Sequence, residues 1–224
     1  MKSQRSQPAF TLIELLTVIG IVTLMAGGLG LALRDGSPAV GLKAAQSAVA
    51  RVVDVARGQA ALQQNRVTLV VRADPVDDRF LRSISIVVET EPDSGQWRAT
   101  GDETVLPKGV YLVPAAGTVS GVEFAVAGNR AAPWPPARQS SFQAAPEGSI
   151  QPEPDYPAGS YLRMVTPLTA SGLAGNGGGD KLVVASARRT AGGVIFDRPE
   201  QVCGVVISAY GVTALINDGA GFDF

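Results

Sequence analysis

The sequence predicts an α+β chain in which a long N-terminal helix, transmembrane in its first half and amphipathic in its second, packs on an antiparallel β-sheet or β-sandwich head. Three observations predict it: an apolar run from Phe10 to Leu33 broken by one charge, a diluted helical pattern from Ala39 to Asn65, and short β-branched runs set among 26 glycines and 15 prolines. A chain of 224 residues leaves room beyond such an anchor for one modest head with its own core. The organisation read from it is a leader at 1–9, a transmembrane helix at 10–33, an amphipathic continuation at 34–65, and a β-rich head at 66–224 with a Pro-rich insertion at 131–158.

Met1 to Ala9 reads MKSQRSQPA, polar with cations at Lys2 and Arg5. As a helix the following run spans roughly 36 Å at about 1.5 Å per residue, enough for a hydrocarbon core of about 30 Å. Lys2 and Arg5 hold the N-terminus in the cytoplasm and send the head across the membrane. A deeply buried core helix and an ordinary secretory signal are the competing readings. The run is longer than a signal's apolar region, and such a signal gains nothing from an acid near its start.

That acid is Glu14, and a carboxylate inside an apolar span costs about 2.5–3.5 kcal/mol even on lenient scales. Cleavage between Ala9 and Phe10 would create an α-ammonium four residues before Glu14 and on every neighbouring copy, so an assembled filament can pair the charges and fix the stagger between subunits. Snorkelling of Glu14 to the interface is the plainer alternative.

The stretch Ala9-Phe10-Thr11-Leu12-Ile13-Glu14-Leu15-Leu16-Thr17-Val18-Ile19-Gly20-Ile21 resembles the processing signal of type IV pilins and type II secretion pseudopilins. The resemblance implies removal of the leader by a prepilin peptidase between Ala9 and Phe10, N-methylation of Phe10, and an assembly role for Glu14. The family usually places Gly before the cut, where this chain has the similarly small Ala9. The implied partners are the prepilin peptidase, other pilin or pseudopilin subunits, an inner-membrane assembly platform and membrane lipid. The implied location is the bacterial inner membrane, with a single pass, a cytoplasmic N-terminus and a periplasmic head that joins a filament on assembly.

Arg34-Asp35-Gly36-Ser37-Pro38 interrupts the helix and can cap and restart another. Beyond it, Val40, Ala44, Ala48, Val52, Val55, Ala56 and Leu62 predict the apolar face of a helix laid on the sheet, with a membrane-surface helix as the alternative. Strands are expected at 67–71 and 80–88, joined through the acidic turn Asp74 to Asp78, and then at 96–99, 110–113, 122–126, 161–165, 182–187, 205–208 and 212–216. Ala209-Tyr210-Gly211 joins the last two as a hairpin. The prolines around Trp134 predict a long excursion from the sheet, read as a surface loop or as an extended Pro-rich ligand.

The head is also similar to H-type minor pseudopilins through Ala56-Arg57, Gln64 to Leu69, Leu106 to Leu112 and Val205 to Val212, in that order. This likeness implies a β-sandwich head on a long N-terminal helix.

The charge balance, 19 Lys+Arg against 20 Asp+Glu, gives no electrostatic footprint for nucleic acid. With no histidine, the chain has no Ser-His-Asp or Cys-His machinery and no His-ligated zinc. The lone Cys203 lies in an apolar run, which predicts an inert buried thiol. Gly175 to Lys181 lacks the Gly-Lys-Ser/Thr ending of a phosphate loop, and a mobile hairpin tip is the reading there. Asn217, Asp218 and Asp223 could supply oxygen ligands for calcium but their spacing matches no calcium loop, and the acidic turn at Asp74, Asp77 and Asp78 reads as a solvated loop, with cation binding as the alternative. No enzyme activity, cofactor or metal is therefore expected. The chain reads as a structural subunit of a type II secretion pseudopilus, as a minor pseudopilin, or of a type IV pilus-like filament, with a membrane-tethered periplasmic binding domain that never polymerises as the alternative.

Overall fold

The structure, a computed structural model, describes residues 12–34, 38–101, 103–115, 117–119, 123–126, 129–133, 135–152, 159–175, 179–190, 193–196 and 201–217. It divides into two compact units at Pro38. The first contains α1, Leu12–Arg34, and the second opens with α2, Pro38–Gln63.

The expected long two-part N-terminal helix is corrected. Among the described residues the chain has two α-helices, and no helix is long and apolar enough to cross a membrane. The second helix begins at Pro38, a residue suited to the first turn of a helix because it has no N–H to leave unpaired there. Among the described residues the strands beyond α2 form two mostly antiparallel sheets.

The first sheet runs β11 (Gly172–Leu173), β10 (Leu168–Thr169), β1 (Val67–Arg72), β2 (Ser83–Glu89), β3 (Trp97–Ala99). Off this path, β4 (Thr104–Val105) joins β2, and β9 (Tyr161–Met164) joins β1 and carries β8 (Phe142–Ala144). The second runs β15 (Thr213–Ile216), β14 (Val202–Ile207), β12 (Asp180–Thr190), β13 (Gly193–Phe196), β6 (Glu123–Val126), β7 (Asn129–Pro133), with β5 (Val110–Leu112) on β12. The expected first hairpin is present, with Val67 opposite Val88 and Val71 opposite Ile84. So is the last, with Ile207 opposite Thr213 and Gly211 N–H donating to the Ser208 carbonyl. The parallel pairing of β13 with β6 was not anticipated.

One core is shared by α2 and both sheets. The face that α2 buries agrees with the expected one at Val52 and Ala56 and differs elsewhere: Leu42, Ala45, Val49, Val53 and Ala60 are also covered, whereas Val40, Val55 and Leu62 are 67%, 45% and 86% exposed. A polar residue on the buried stripe hid it from the pattern. Gln46 is buried because its amide donates to the carbonyls of Gly204 at 2.9 Å and Ile216 at 2.8 Å, supplying the partners that a buried carbonyl needs. Phe80 and Leu81, fully buried in the turn between β1 and β2, each contribute about 1.5–3 kcal/mol by leaving water.

The Pro-rich insertion is corrected in part. Phe142–Ala144 enters the ladder as β8, opposite Met164 to Leu162, so the stretch is not wholly an excursion. Its next residues return to the sheet: Ala145 and Ile150 pack on a second, smaller core of Val70, Val87, Trp97, Ala99 and Tyr161. Trp134 lies outside the described residues, as do residues 176–178 of the expected hairpin tip.

Candidate functional site

Ala9 and Phe10 lie outside the described residues, so the expected processing point is without structural description; Glu14 falls in the first turn of α1. There a carboxylate faces the positive end of the helix dipole, a contribution of about 0.3–1 kcal/mol. The described apolar side chains of α1 are exposed all round the helix, from Leu12 at 80% to Leu24 at 79%. Its two threonine hydroxyls are satisfied internally. Thr17 donates to the Ile13 carbonyl and Thr23 to that of Ile19, both at 2.7 Å. A helix with apolar residues on every side and its hydroxyls turned onto its own backbone is chemically suited to apolar surroundings.

In the head, charges gather where the turn after β1 meets the strand ends. Arg72 Nε donates to Glu103 at 2.8 Å and its Nη1 to Asp77 at 3.1 Å, while Arg79 also donates to Glu103. Burial pushes the Glu103 carboxyl up, but hydrogen bonds from Arg72, Ser83 and Arg79 outweigh it and leave it below its ordinary range. Asp77 likewise ends low, its burial outweighed by the Arg79 backbone N–H, the Asp78 side chain and Arg72. Arg189, on β12, donates to the Asp77 carbonyl at 2.6 Å and to that of Pro75, and its guanidinium lies over the Phe80 ring. The acidic turn read as solvated is thus partly a clamp between the two sheets, with Asp77 committed to arginine and Asp74 to the Val76 N–H. Among the described residues no group of acids, cysteines or histidines could hold a metal ion.

Beside this turn lies a cleft of about 720 Å³, lined by Asp74, Pro75, Val119, Glu147, Ile150 and Tyr161 among others. Nothing in the sequence marked it, since its walls come from four separated segments. Cys203 is buried, with its thiol donating to the Leu42 carbonyl at 3.3 Å, and burial pushes it up to about 11, the small opposing pull of Lys43 notwithstanding. Asn217 receives a hydrogen bond from Lys43, which occupies the oxygen that a calcium site would need; Asp218 and Asp223 lie outside the described residues.

Compared with protein-family models, with curated proteins and with solved structures, the chain matches none.

Proposed function

We propose that this chain is a structural subunit of a pilin-like filament, a minor pseudopilin of a secretion pseudopilus or a subunit of a related pilus, and not an enzyme. The observation that carries the reading is the juxtaposition in α1 of Glu14, in the first turn of the helix, with described apolar side chains exposed on every side. Exposed apolar area of this extent is a liability for an isolated molecule and an asset for one that assembles. The resemblance of Ala9 to Ile21 to the prepilin signal supplies the chemistry: a prepilin peptidase cuts between Ala9 and Phe10, Phe10 is methylated, and the new terminal ammonium of one subunit meets Glu14 of another.

In this reading the unassembled chain is held at the bacterial inner membrane, with Lys2 and Arg5 on the cytoplasmic side and the head on the periplasmic side. Its partners are other pilin or pseudopilin subunits and the assembly platform, with lipid around α1 until assembly.

Intact-mass measurement of the natural membrane form tests the processing step: a chain beginning at N-methylated Phe10 is expected, and retention of Met1 or a cut beyond the apolar run overturns it. Glu14→Ala separates assembly from tethering. Losing the dipole interaction costs well under 1 kcal/mol net, because Ala is the better helix former, so the helix survives. Filament incorporation is expected to fall to background at unchanged protein level; undiminished incorporation would overturn the assembly role of Glu14, and a natural chain found in no filament would leave a simple tether.

A further inference from the structure

The second sheet turns one face toward α2. Cys203, whose thiol donates to the Leu42 carbonyl, points at the helix, and Val184 opposite it shares that face. Side chains alternate along a strand, so Ser186 and Arg188 project on the same side as Val184, while Arg189 turns to the other, over Phe80. Val110 agrees: it pairs with Ser186, and a Cβ on Gly41 would meet its Cγ2 at 3.5 Å. The direction of α2 follows from its contacts with the β15 region, since Lys43 donates to Asn217 and Thr213 donates to Asp54. The helix therefore runs antiparallel to β15 and to β12, and its N-terminal turn lies at the Arg188 end of β12.

Three features meet there. Ser186 is only 7% exposed, and its Oγ is buried with no hydrogen-bond partner. Arg188 and Lys108 are exposed cations, and neither side chain enters an ion pair or a hydrogen bond among the described residues. Lys108 sits in the turn closed by Val110 N–H to the Pro107 carbonyl, and Ala187 N–H to the Gly109 carbonyl at 2.9 Å holds that turn beside Arg188. The helix α2 adds the positive end of its dipole, with no acid in its first turn and with leading N–H groups that have no acceptor inside the helix. A buried hydroxyl without a partner costs stability, and two neighbouring cations without a counter-ion repel. One anion relieves both.

We propose that Ser186, Arg188, Lys108 and the first turn of α2 form an oxyanion site whose ligand is a phosphate group, free or carried by a lipid headgroup. Helix N-termini bind such anions through backbone N–H groups and the dipole. The hydroxyl, the guanidinium fork, the ammonium and the N–H groups of Val40 and Gly41 offer more donors than the two oxygens of a carboxylate can accept, and a phosphate has the oxygens for them. Arg188 supplies two parallel bonds, Lys108 a point charge, and Ser186, the deepest donor, sets how far the phosphate enters. The site lies within the head and does not rest on how α1 is processed.

Backbone amide NMR on the full-length chain in a non-ionic detergent tests it. Three additions are compared: sodium chloride, sodium phosphate at matched ionic strength, and phosphatidylglycerol doped into the micelle. Saturable shifts confined to the amides of Val40, Gly41, Lys108, Gly109 and Arg188 are expected with a phosphate-bearing addition and not with chloride. A response to inorganic phosphate assigns the free anion, and a response to the lipid alone assigns the headgroup. No saturable response to either, or an equal response to chloride, overturns the proposal. Arg188→Gln, at an exposed position, is expected to weaken the responding phosphate at least about tenfold, the scale of one charge-assisted bond. Ser186→Ala separates a ligand role from a structural one: removing a hydroxyl that has no partner in the protein should leave the urea midpoint unchanged or raised, while phosphate affinity falls at least about threefold. Unchanged affinity in either folded variant overturns the site, and if Ser186→Ala fails to fold, Arg188→Gln decides.

Discussion

Asp180 opens β12 with Oδ2 accepting the Thr166 N–H at 3.1 Å. Burial pushes this carboxyl above its ordinary range, and the bonds from Thr166 and Ser141 offset that only in part. A raised folded-state value means that the native head binds this proton more tightly than the unfolded chain does. The stability it contributes is therefore full below the ordinary value and lost as pH rises through the folded one. Asp180→Asn keeps an acceptor for Thr166 without the buried charge, so its stability relative to the natural chain should be more favourable at pH 7 than at pH 3 in chemical denaturation. A pH-independent difference would refute this account. Glu103 has the opposite sign. Its contribution is present above its ordinary value of 4.5 and lost as pH falls through the lowered folded value. Glu103→Gln removes one of the two carboxylates that Arg72 holds, Asp77 being the other, and should cost about 1.5 kcal/mol at pH 7, with the gap narrowing in acid. The Cys203 thiol, raised to about 11, should resist alkylation at pH 8 until the head is denatured, a rate readily followed by mass spectrometry.

Among the elements, β14 and α2 show how local sequence and tertiary context divide the work. A Cβ at Gly204 would sit 2.0 Å from the Leu182 carbonyl oxygen, which is backbone and cannot yield. Gly204→Ala should lower stability by about 3 kcal/mol or more in urea titration, and a neutral result would mean that β12 and β14 are not paired as described. The strands with β-branched runs, β1, β2 and β14 above all, were legible because Val and Ile in short apolar runs fit a buried pleat. Two-residue strands such as β4, β10 and β11 carry no periodicity and were not legible. For α2 the helix was legible but its orientation was not. Val40, Val55 and Leu62 form a plausible apolar stripe, and the competing stripe through Gln46 wins only because two carbonyls from distant strands wait for that amide.

At the scale of the whole molecule, α2 opens on a proline, and the head gathers both sheets around one core. The local chemistry of the chain followed from residue order alone: the basic N-terminal residues Lys2 and Arg5, the acid in an apolar run, the absence of histidine, the strand-forming character of the head. Each depends on neighbours within a turn or a strand. Tertiary structure decided what depends on residues far apart in the chain: which stripe of α2 is buried, that Asp77 and Glu103 are held by arginines instead of water, that a cleft opens beside them, and that part of the Pro-rich insertion straps the edge at Trp97. Long-range partners carry no periodic signature, because the free energy that selects them comes from desolvation and pairing that exist only once the chain is folded.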